Sequence, residues 1–228
     1  MKLQTLKSII EKKKNKSEFA IITNLKTGES EIFEKDKPLS KEMEIYSNQI
    51  NEFFKSKKNG VIENSEIFVE TYILPIKVIV VGAVHITQYL VDFAKSLNFE
   101  ISIIDPRGYF ASEQRFPDMK IINKWPNEAF KEIETNENTA LIALTHDPKM
   151  DLPLLEEILK TNAFYIGALG SLRTHNNRRK SMLALGVNAE SFDRIQGPVG
   201  LQIGSKSPSE IALSILAAIT TRLRIEMS

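Results

Sequence analysis

From Lys77 onward the apolar residues fall in short unbroken runs: KVIVVG (77–82), EISIID (100–105), MKIIN (119–123), TALIALT (139–145) and FYIGALG (164–170). A strand with one solvated face alternates apolar and polar residues, whereas an unbroken run marks a strand covered on both faces, as in a parallel sheet. Between the runs, HITQYLVDFAKSL (85–97), NEAFKEIE (127–134), LPLLEEILKT (152–161) and THNNRRKSMLALG (174–186) suit crossover helices. A last helix opens with SPSEIALSILAAI (207–219), where Ser207 is placed to cap, Pro208 takes the first helical position and Glu210 completes a capping box. This alternation predicts an α/β fold, a Rossmann-like doubly wound and mainly parallel sheet over residues 77–228.

The first 76 residues keep other periods and read as a small α+β region. Leu3, Leu6, Ile9 and Ile10 recur at helical spacing, and EFAIITNLKTGESEIF (18–33) reads as a hairpin turning at Thr27 and Gly28. A second helix carries Met43, Tyr46, Ile50, Phe53 and Phe54 on one face. EIFVETYILP (66–75) then reads as a linker or an edge strand stopped by Pro75. No chemical motif stands in this region.

Charge narrows the class of partner. A formal net charge of +1 provides no whole-molecule field for nucleic acid or an anionic membrane, so any anion must be recognised locally. The chain has no cysteine, which excludes disulfides, thiolate metal ligands and a persulfide carried on this chain. Its start, MKLQTLKSIIEKKKNKS, lacks the apolar core of a signal peptide, and no run reaches transmembrane length, so a cytoplasmic location is expected. The cations are unevenly divided. Residues 1–106 hold 15 lysines and no arginine, while all eight arginines follow, with Arg107, Arg115, Arg173, Arg178 and Arg179 in or just after expected loops. Arginine's planar fork suits bidentate recognition, although chance clustering gives the same pattern.

In an open α/β sheet, ligands bind beyond the carboxyl ends of the strands, where the connections reverse direction. The peculiar residues gather there: Gly82-Ala83-Val84-His85 after the first run, Asp105-Pro106-Arg107 after the second, Thr145-His146-Asp147 after the fourth, and Gly167-Ala168-Leu169-Gly170-Ser171 in the fifth. The three histidines, His85, His146 and His175, belong to these connections or to the helix starts beside them. In YIGALGSLRTHNNRR (165–179), Ser171, Arg173 and Thr174 at a helix start bring hydroxyls, amides and a charged fork suited to an anion.

Structural alternatives stand beside each reading. Gly167 and Gly170 serve equally for tight packing or backbone turning, and THDP is a good polar turn. Asp105, about twenty residues after the glycine turn, stands where an acidic residue takes a ribose hydroxyl, or it caps the loop before Pro106. The GAVHIT turn departs from G-x-G-x-x-G at Val84 and Thr87, which counts against NAD(P). A metal site is not expected, because the histidines show no ligand spacing.

Taken in order, FVETYILPIKVIVVGAVHITQYL (68–90), IIDPRGYFASEQRFPD (103–118), ALTHDPKMDLPLL (143–155), YIGALGSLRTH (165–175) and GPVGLQIGSKSPSEIALSILAAI (197–219) carry a resemblance. Over about residues 67–220 the chain resembles the C-terminal Rossmann domain of the XdhC/CoxI family, the xanthine dehydrogenase accessory proteins. It departs from the family pattern at Val84, Thr87, Leu172, Gln196 and Gln202, and it has no counterpart of the family's N-terminal GSxSGGCxE motif.

The resemblance implies a maturation chaperone for a molybdenum hydroxylase. Such a protein binds the molybdenum cofactor, as molybdopterin or its nucleotide form, and protects it while a cysteine desulfurase exchanges a terminal oxo ligand for sulfur. It then promotes insertion into the apo-enzyme. On that basis the phosphate falls to Gly167, Gly170, Ser171, Arg173 and Thr174, and an acceptor role to Asp105 with Arg107 beside it. Gly82 and His85 form the pocket floor, and Thr145, His146 and Asp147 face the reactive end. No catalytic residue is assigned, and a homodimer is the default assembly. Two other classes stay open: an NAD(P)-dependent oxidoreductase on the same fold, and an interaction subunit without ligand.

Overall fold

A computed structural model describes residues 3–15, 17–35, 37–145 and 147–226. His146, assigned above to the reactive end, lies outside the described residues. Tertiary contacts divide the chain into two units between Leu74 and Pro75.

The first unit contains α1 (Leu3–Lys14), β1 (Phe19–Asn24), β2 (Ser30–Phe33), α2 (Lys41–Glu44), α3 (Ser47–Ser56), β3 (Gly60–Val61) and β4 (Ile67–Tyr72). Its sheet runs β2-β1-β4-β3 with antiparallel neighbours. The expected hairpin forms: Asn24 Oδ1 accepts from the Lys26 and Thr27 amides at 3.0 and 3.1 Å, and Gly28 takes a φ of +72°. The side chain of Asn24 thus supplies the turn, and glycine its left-handed exit.

Two expectations for this unit need correction. The second helix is two helices, broken at Ile45 and Tyr46, although Met43 and Ile50 are buried as the spacing requires. The segment 66–75 is neither linker nor edge: β4 pairs with β1 along one side and with β3 along the other. Pro75 follows that strand and so removes none of its ladder hydrogen bonds.

The second unit contains β5 (Lys77–Val81), α4 (His85–Ser96), β6 (Glu100–Ile104), β7 (Lys120–Ile122), α5 (Pro126–Ala129), β8 (Thr139–Ala143), α6 (Pro148–Leu159), β9 (Tyr165–Ala168), α7 (Leu172–Ala184), α8 (Ala189–Asp193), β10 (Ile195–Gln196) and α9 (Pro208–Thr221), with a π-turn at Arg222–Glu226. Its sheet runs β7-β6-β5-β8-β9-β10 and every pair is parallel, the Rossmann order. The connections reverse direction between β5 and β8.

The core explains the unbroken apolar runs. Val78 and Val80, Ile101 and Ile103, and Ala140 and Ile142 face α4 and α9. Their neighbours Ile79 and Val81, Leu141 and Ala143 face α6, α7 and α8. Both halves of the period-two pattern are buried, so both must be apolar. Leu154, Leu155 and Ile158 of α6 are fully buried, each worth about 1.5–3 kcal/mol of transfer free energy. The capping box of α9 forms, with Ser207 Oγ accepting from the Glu210 amide and Glu210 Oε2 from the Ser207 amide.

Sequence periodicity misses three features. β10 has two residues and α8 has five, too few to show a period. NEAFKEIE holds regular helix only at its start, since α5 ends at Ala129. Helix α6 begins at Pro148 and continues through Pro153. Arg194, between α8 and β10, fastens those two elements to the end of α6 and the loop after it by donating to the carbonyls of Leu159, Thr161 and Ala163 at 2.8–3.1 Å.

Candidate functional site

The crevice begins where β5 and β8 end side by side. Gly82 follows β5 with a φ of +111°, and a Cβ there would stand 3.1 Å from Thr145 Cγ2 and 3.3 Å from the Leu144 carbonyl carbon. Only glycine meets both demands, positive φ and close approach to the neighbouring strand. Thr87 donates to the Gly82 carbonyl at 2.6 Å from one turn into α4. Its departure from the dinucleotide pattern is therefore a buried brace on the turn. Val84 precedes α4 and provides no side-chain cap.

Asp105 at the end of β6 is fully buried, and its carboxylate is occupied by its own chain. Oδ2 accepts from the Ala83 amide at 2.9 Å and from Arg107 Nη2 at 2.7 Å; Oδ1 accepts from the Arg107 amide at 3.0 Å and Arg107 Nε at 2.9 Å. Burial pushes this carboxyl up, but the Arg107 guanidinium and the two backbone donors together outweigh it and hold the group below the ordinary carboxylate range. An acceptor role toward a ligand would require the Arg107 fork to move. Arg107 itself is half-exposed, stacks on the Phe110 ring at 4.8 Å, and feels Asp147 as well as Asp105. Arg115, one of the loop arginines, braces the turn from its other side by donating to the Ala83 carbonyl (2.9 Å), the Phe110 carbonyl (2.7 Å) and Gln88 Oε1 (3.1 Å).

Across the switch point, Thr145 is buried and its hydroxyl donates to Asp151 in the first turn of α6. Asp151 Oδ2 accepts from Arg178 Nη2 at 3.1 Å, and the same nitrogen donates to the Leu169 carbonyl at 3.1 Å. Asp151 and Arg178 are thus buried partners that bind the ends of β8 and β9 to each other. The sequence signals Arg178 only as one loop arginine among several. Asp151 is signalled only as part of ALTHDPKMDLPLL, with no role assigned to it, because its partners lie six and 27 residues away and on different elements. Asp147 is exposed, and its carbonyl accepts the Met150 and Asp151 amides that start α6.

At the end of β9, Ser171 caps α7 by accepting from the Thr174 amide at 3.2 Å. Gly170 has a φ of +140°, and a Cβ there would stand 2.9 Å from Thr174. A Cβ on Gly167 would collide with Val199 and the Tyr165 ring, so that glycine answers to packing. Arg173 and Thr174 are exposed, and among the described residues the Arg173 guanidinium has no protein partner. Thr145, Asp151, Leu169, Thr174 and Arg178 line a cleft of about 240 Å³ between α6 and α7.

The structure brings Gly82, Asp105, Arg107, Thr145 and Asp147 to the ends of β5, β6 and β8, and Gly170, Ser171, Arg173 and Thr174 to the start of α7. His85 opens α4 and is exposed. His175 turns away from the cleft. A Cβ on Gly197 would lie well inside contact distance of its Nδ1, and its ring packs on Phe192 at 5.0 Å. Burial, then Arg178 and Arg179, hold His175 below the usual histidine range.

Comparison with known proteins identifies the domain that carries these residues. The XdhC Rossmann domain matches residues 78–219. The chain is 36% identical over 104 residues to the molybdenum cofactor insertion chaperone PaoD of Escherichia coli (strain K12), covering 46% of this chain and 32% of that protein. It is 31% identical over 138 residues to a probable xanthine dehydrogenase subunit of Bacillus subtilis (strain 168), covering 60% of this chain and 40% of the relative. The chain thus aligns with less than half the length of either. A crystal structure of a xanthine dehydrogenase from Bacillus halodurans superimposes with a TM-score of 0.72 over 97% of this chain and 64% of that one, at 23% identity, a likeness of fold. Because the domain match takes in more than half of the chain, from β5 to α9, the chain belongs to the XdhC Rossmann domain family.

Proposed function

We propose that this chain is a maturation factor that holds the molybdenum cofactor and delivers it to the apo-form of a xanthine dehydrogenase-type molybdenum hydroxylase. The observation that carries the reading is that the family match over 78–219 encloses every residue assigned to the site, from Gly82 to Thr174. Similarity to a molybdenum cofactor insertion chaperone supports the same class of work.

The residues present fit such a ligand. Arg173 offers an exposed fork without a protein partner, and Arg178 Nη1 is a buried donor without an acceptor among the described residues. Arg173, with the Ser171 and Thr174 hydroxyls at the positive end of α7, would hold the phosphate of molybdopterin or its nucleotide form. Arg107, displaced from Asp105, would free that carboxylate to accept from the ligand. Gly82 lets the β5 turn lie close against β8, with His85 exposed at its edge; Thr145 and Asp147 stand toward the reactive end, with His146 between them in sequence. When bound, the cofactor supplies the metal and the terminal ligand that is exchanged for sulfur. With no cysteine on this chain, that sulfur comes from a partner, a cysteine desulfurase.

Val84 supports this reading over a nicotinamide-dependent oxidoreductase, because it replaces the glycine that lets a pyrophosphate approach the backbone in the dinucleotide pattern. The test is titration of the purified chain with molybdenum cofactor, followed by transfer to apo-hydroxylase. Saturable binding and faster activation of the apo-enzyme are expected. No binding, or steady nicotinamide turnover with an aldehyde or alcohol, would overturn the proposal.

A further inference from the structure

The cleft between α6 and α7 contains one group that the assignments above leave unused. Arg178 spends Nη2 on Asp151 and on the Leu169 carbonyl, but Nη1 of the same guanidinium is buried with no hydrogen-bond partner among the described residues. Buried donors are almost always satisfied, so an unpaired one beside a cleft marks where an acceptor from outside the chain completes the set.

The surroundings decide what kind of acceptor. Asp151 lines the same cleft and already neutralises Arg178. A phosphate entering there would meet a carboxylate whose cation is spent, whereas a neutral carbonyl meets no such repulsion. Leu152 and Leu169 provide apolar wall, while Asn177 and Ser181, exposed and one turn apart on α7, bring an amide and a hydroxyl to the rim. One buried donor, adaptable polar groups at the rim and apolar walls suit a flat heterocycle with a carbonyl and N–H groups along one edge.

We propose that this cleft receives the lactam edge of the pterin ring, its carbonyl accepting from Arg178 Nη1 and its N–H groups meeting Asn177 and Ser181. The proposal rests on the cofactor-binding reading above. Arg173, assigned to the phosphate, stands five residues before Arg178, about 7.5 Å along the helix axis and about 140° round it at the usual helix geometry. The phosphate would then lie at the tip of α7 and the ring one to two turns further along, on the side of the helix that Arg178 turns to the cleft.

The experiment uses the full chain with three probes: 6-hydroxymethylpterin, which has the ring and no phosphate; inorganic phosphate; and the complete molybdenum cofactor. Ser181→Phe fills the cleft from an exposed position and leaves the Arg178–Asp151 pair intact; circular dichroism checks that it folds. Quenching of pterin fluorescence is expected on wild type, with at least a tenfold loss of affinity for 6-hydroxymethylpterin and for the complete cofactor in Ser181→Phe. Phosphate should bind wild type and variant alike. Arg173→Ala should weaken the complete cofactor while leaving the ring probe unchanged. If Ser181→Phe binds the ring probe like wild type, or wild type binds the cofactor but not the ring probe, the cleft is not the ring site and the cofactor reading survives. If wild type binds neither, both fail.

Discussion

Asp151 and Arg178 meet at 3.1 Å with side chains only 5% and 6% exposed, and between them they hold the Thr145 hydroxyl and the Leu169 carbonyl. The pair therefore fixes the spacing of the β8 and β9 ends, on which the site is built. Removing one partner strands a buried charge, which costs about 3–5 kcal/mol, whereas replacing both by apolar groups of similar volume is often close to neutral. Asp151→Ala should lower unfolding free energy by that amount in urea denaturation, and Asp151→Leu with Arg178→Met should regain most of it. Equal destabilisation of the single and double variants would show that the pair is not the element holding these strand ends.

Asp105 gives the fold an acid dependence whose sign follows from its partners. Its carboxyl lies below the ordinary 3.8 in the folded state, so the unfolded chain binds more protons as the pH falls. The stabilisation is full above pH 3.8 and is lost as the pH drops through the lower folded value. Arg107→Ala removes the one charged group among the donors to this carboxylate and leaves the two backbone amides. Urea midpoints measured at pH 7 and at about pH 3 should differ less in this variant than in wild type. An unchanged pH dependence would mean that the backbone donors alone hold the carboxylate.

How much of this is legible from sequence depends on the range of each interaction. The runs at Val78–Val81 and Leu141–Ala143 are readable because burial on two faces leaves no polar position, a property of the strand itself. The cap at Ser207 is readable because donor and acceptor lie three residues apart, whereas Ser171, read as an anion-binding hydroxyl, is the cap of α7 in the structure. Strand β4 misleads although its burial alternates, because Pro75 reads as a property of the strand it only follows. The Asp151–Arg178 pair is not readable, since helices α6 and α7 meet only after the sheet orders them. Arg194 is equally opaque: in sequence it is one more arginine, and in the fold it closes three carbonyls.

His175 supplies a second pH dependence, in a higher window. Burial and the neighbouring Arg178 and Arg179, only partly offset by Asp193, hold it below the ordinary 6.5. The unfolded chain then takes up a proton that the native state resists, so stability rises with pH through this window. It is full above pH 6.5 and declines as the pH falls from there toward the folded value. His175→Gln should flatten urea midpoints between about pH 7.5 and about 5.5. The ring's contact with Gly197 yields a companion result: Gly197→Ala should cost at least about 1–3 kcal/mol, because the added methyl has no room beside Nδ1. Wild-type stability in Gly197→Ala would show that His175 swings clear at little cost.

Arg173 decides whether the start of α7 holds a ligand. Its neighbours are accounted for structurally: Ser171 caps the helix, Gly170 makes room for Thr174, and Gly167 makes room for Val199. Arg173 has no such employment among the described residues, and a charge-assisted contact from it to a phosphate is worth about 1.5–3 kcal/mol, or one to two decades of affinity. Arg173→Ala should lose that much affinity for the molybdenum cofactor, and Arg173→Lys should recover only part, because lysine keeps the charge without the fork. Lys95→Ala, near the far end of α4, serves as the control. Titrations at two salt concentrations separate the charge from the packing, because the Arg173 contribution should shrink as salt rises while that of the Ser181 cleft should not. Wild-type affinity in Arg173→Ala at low salt would make the turn a structural connection and would move the phosphate elsewhere in the crevice.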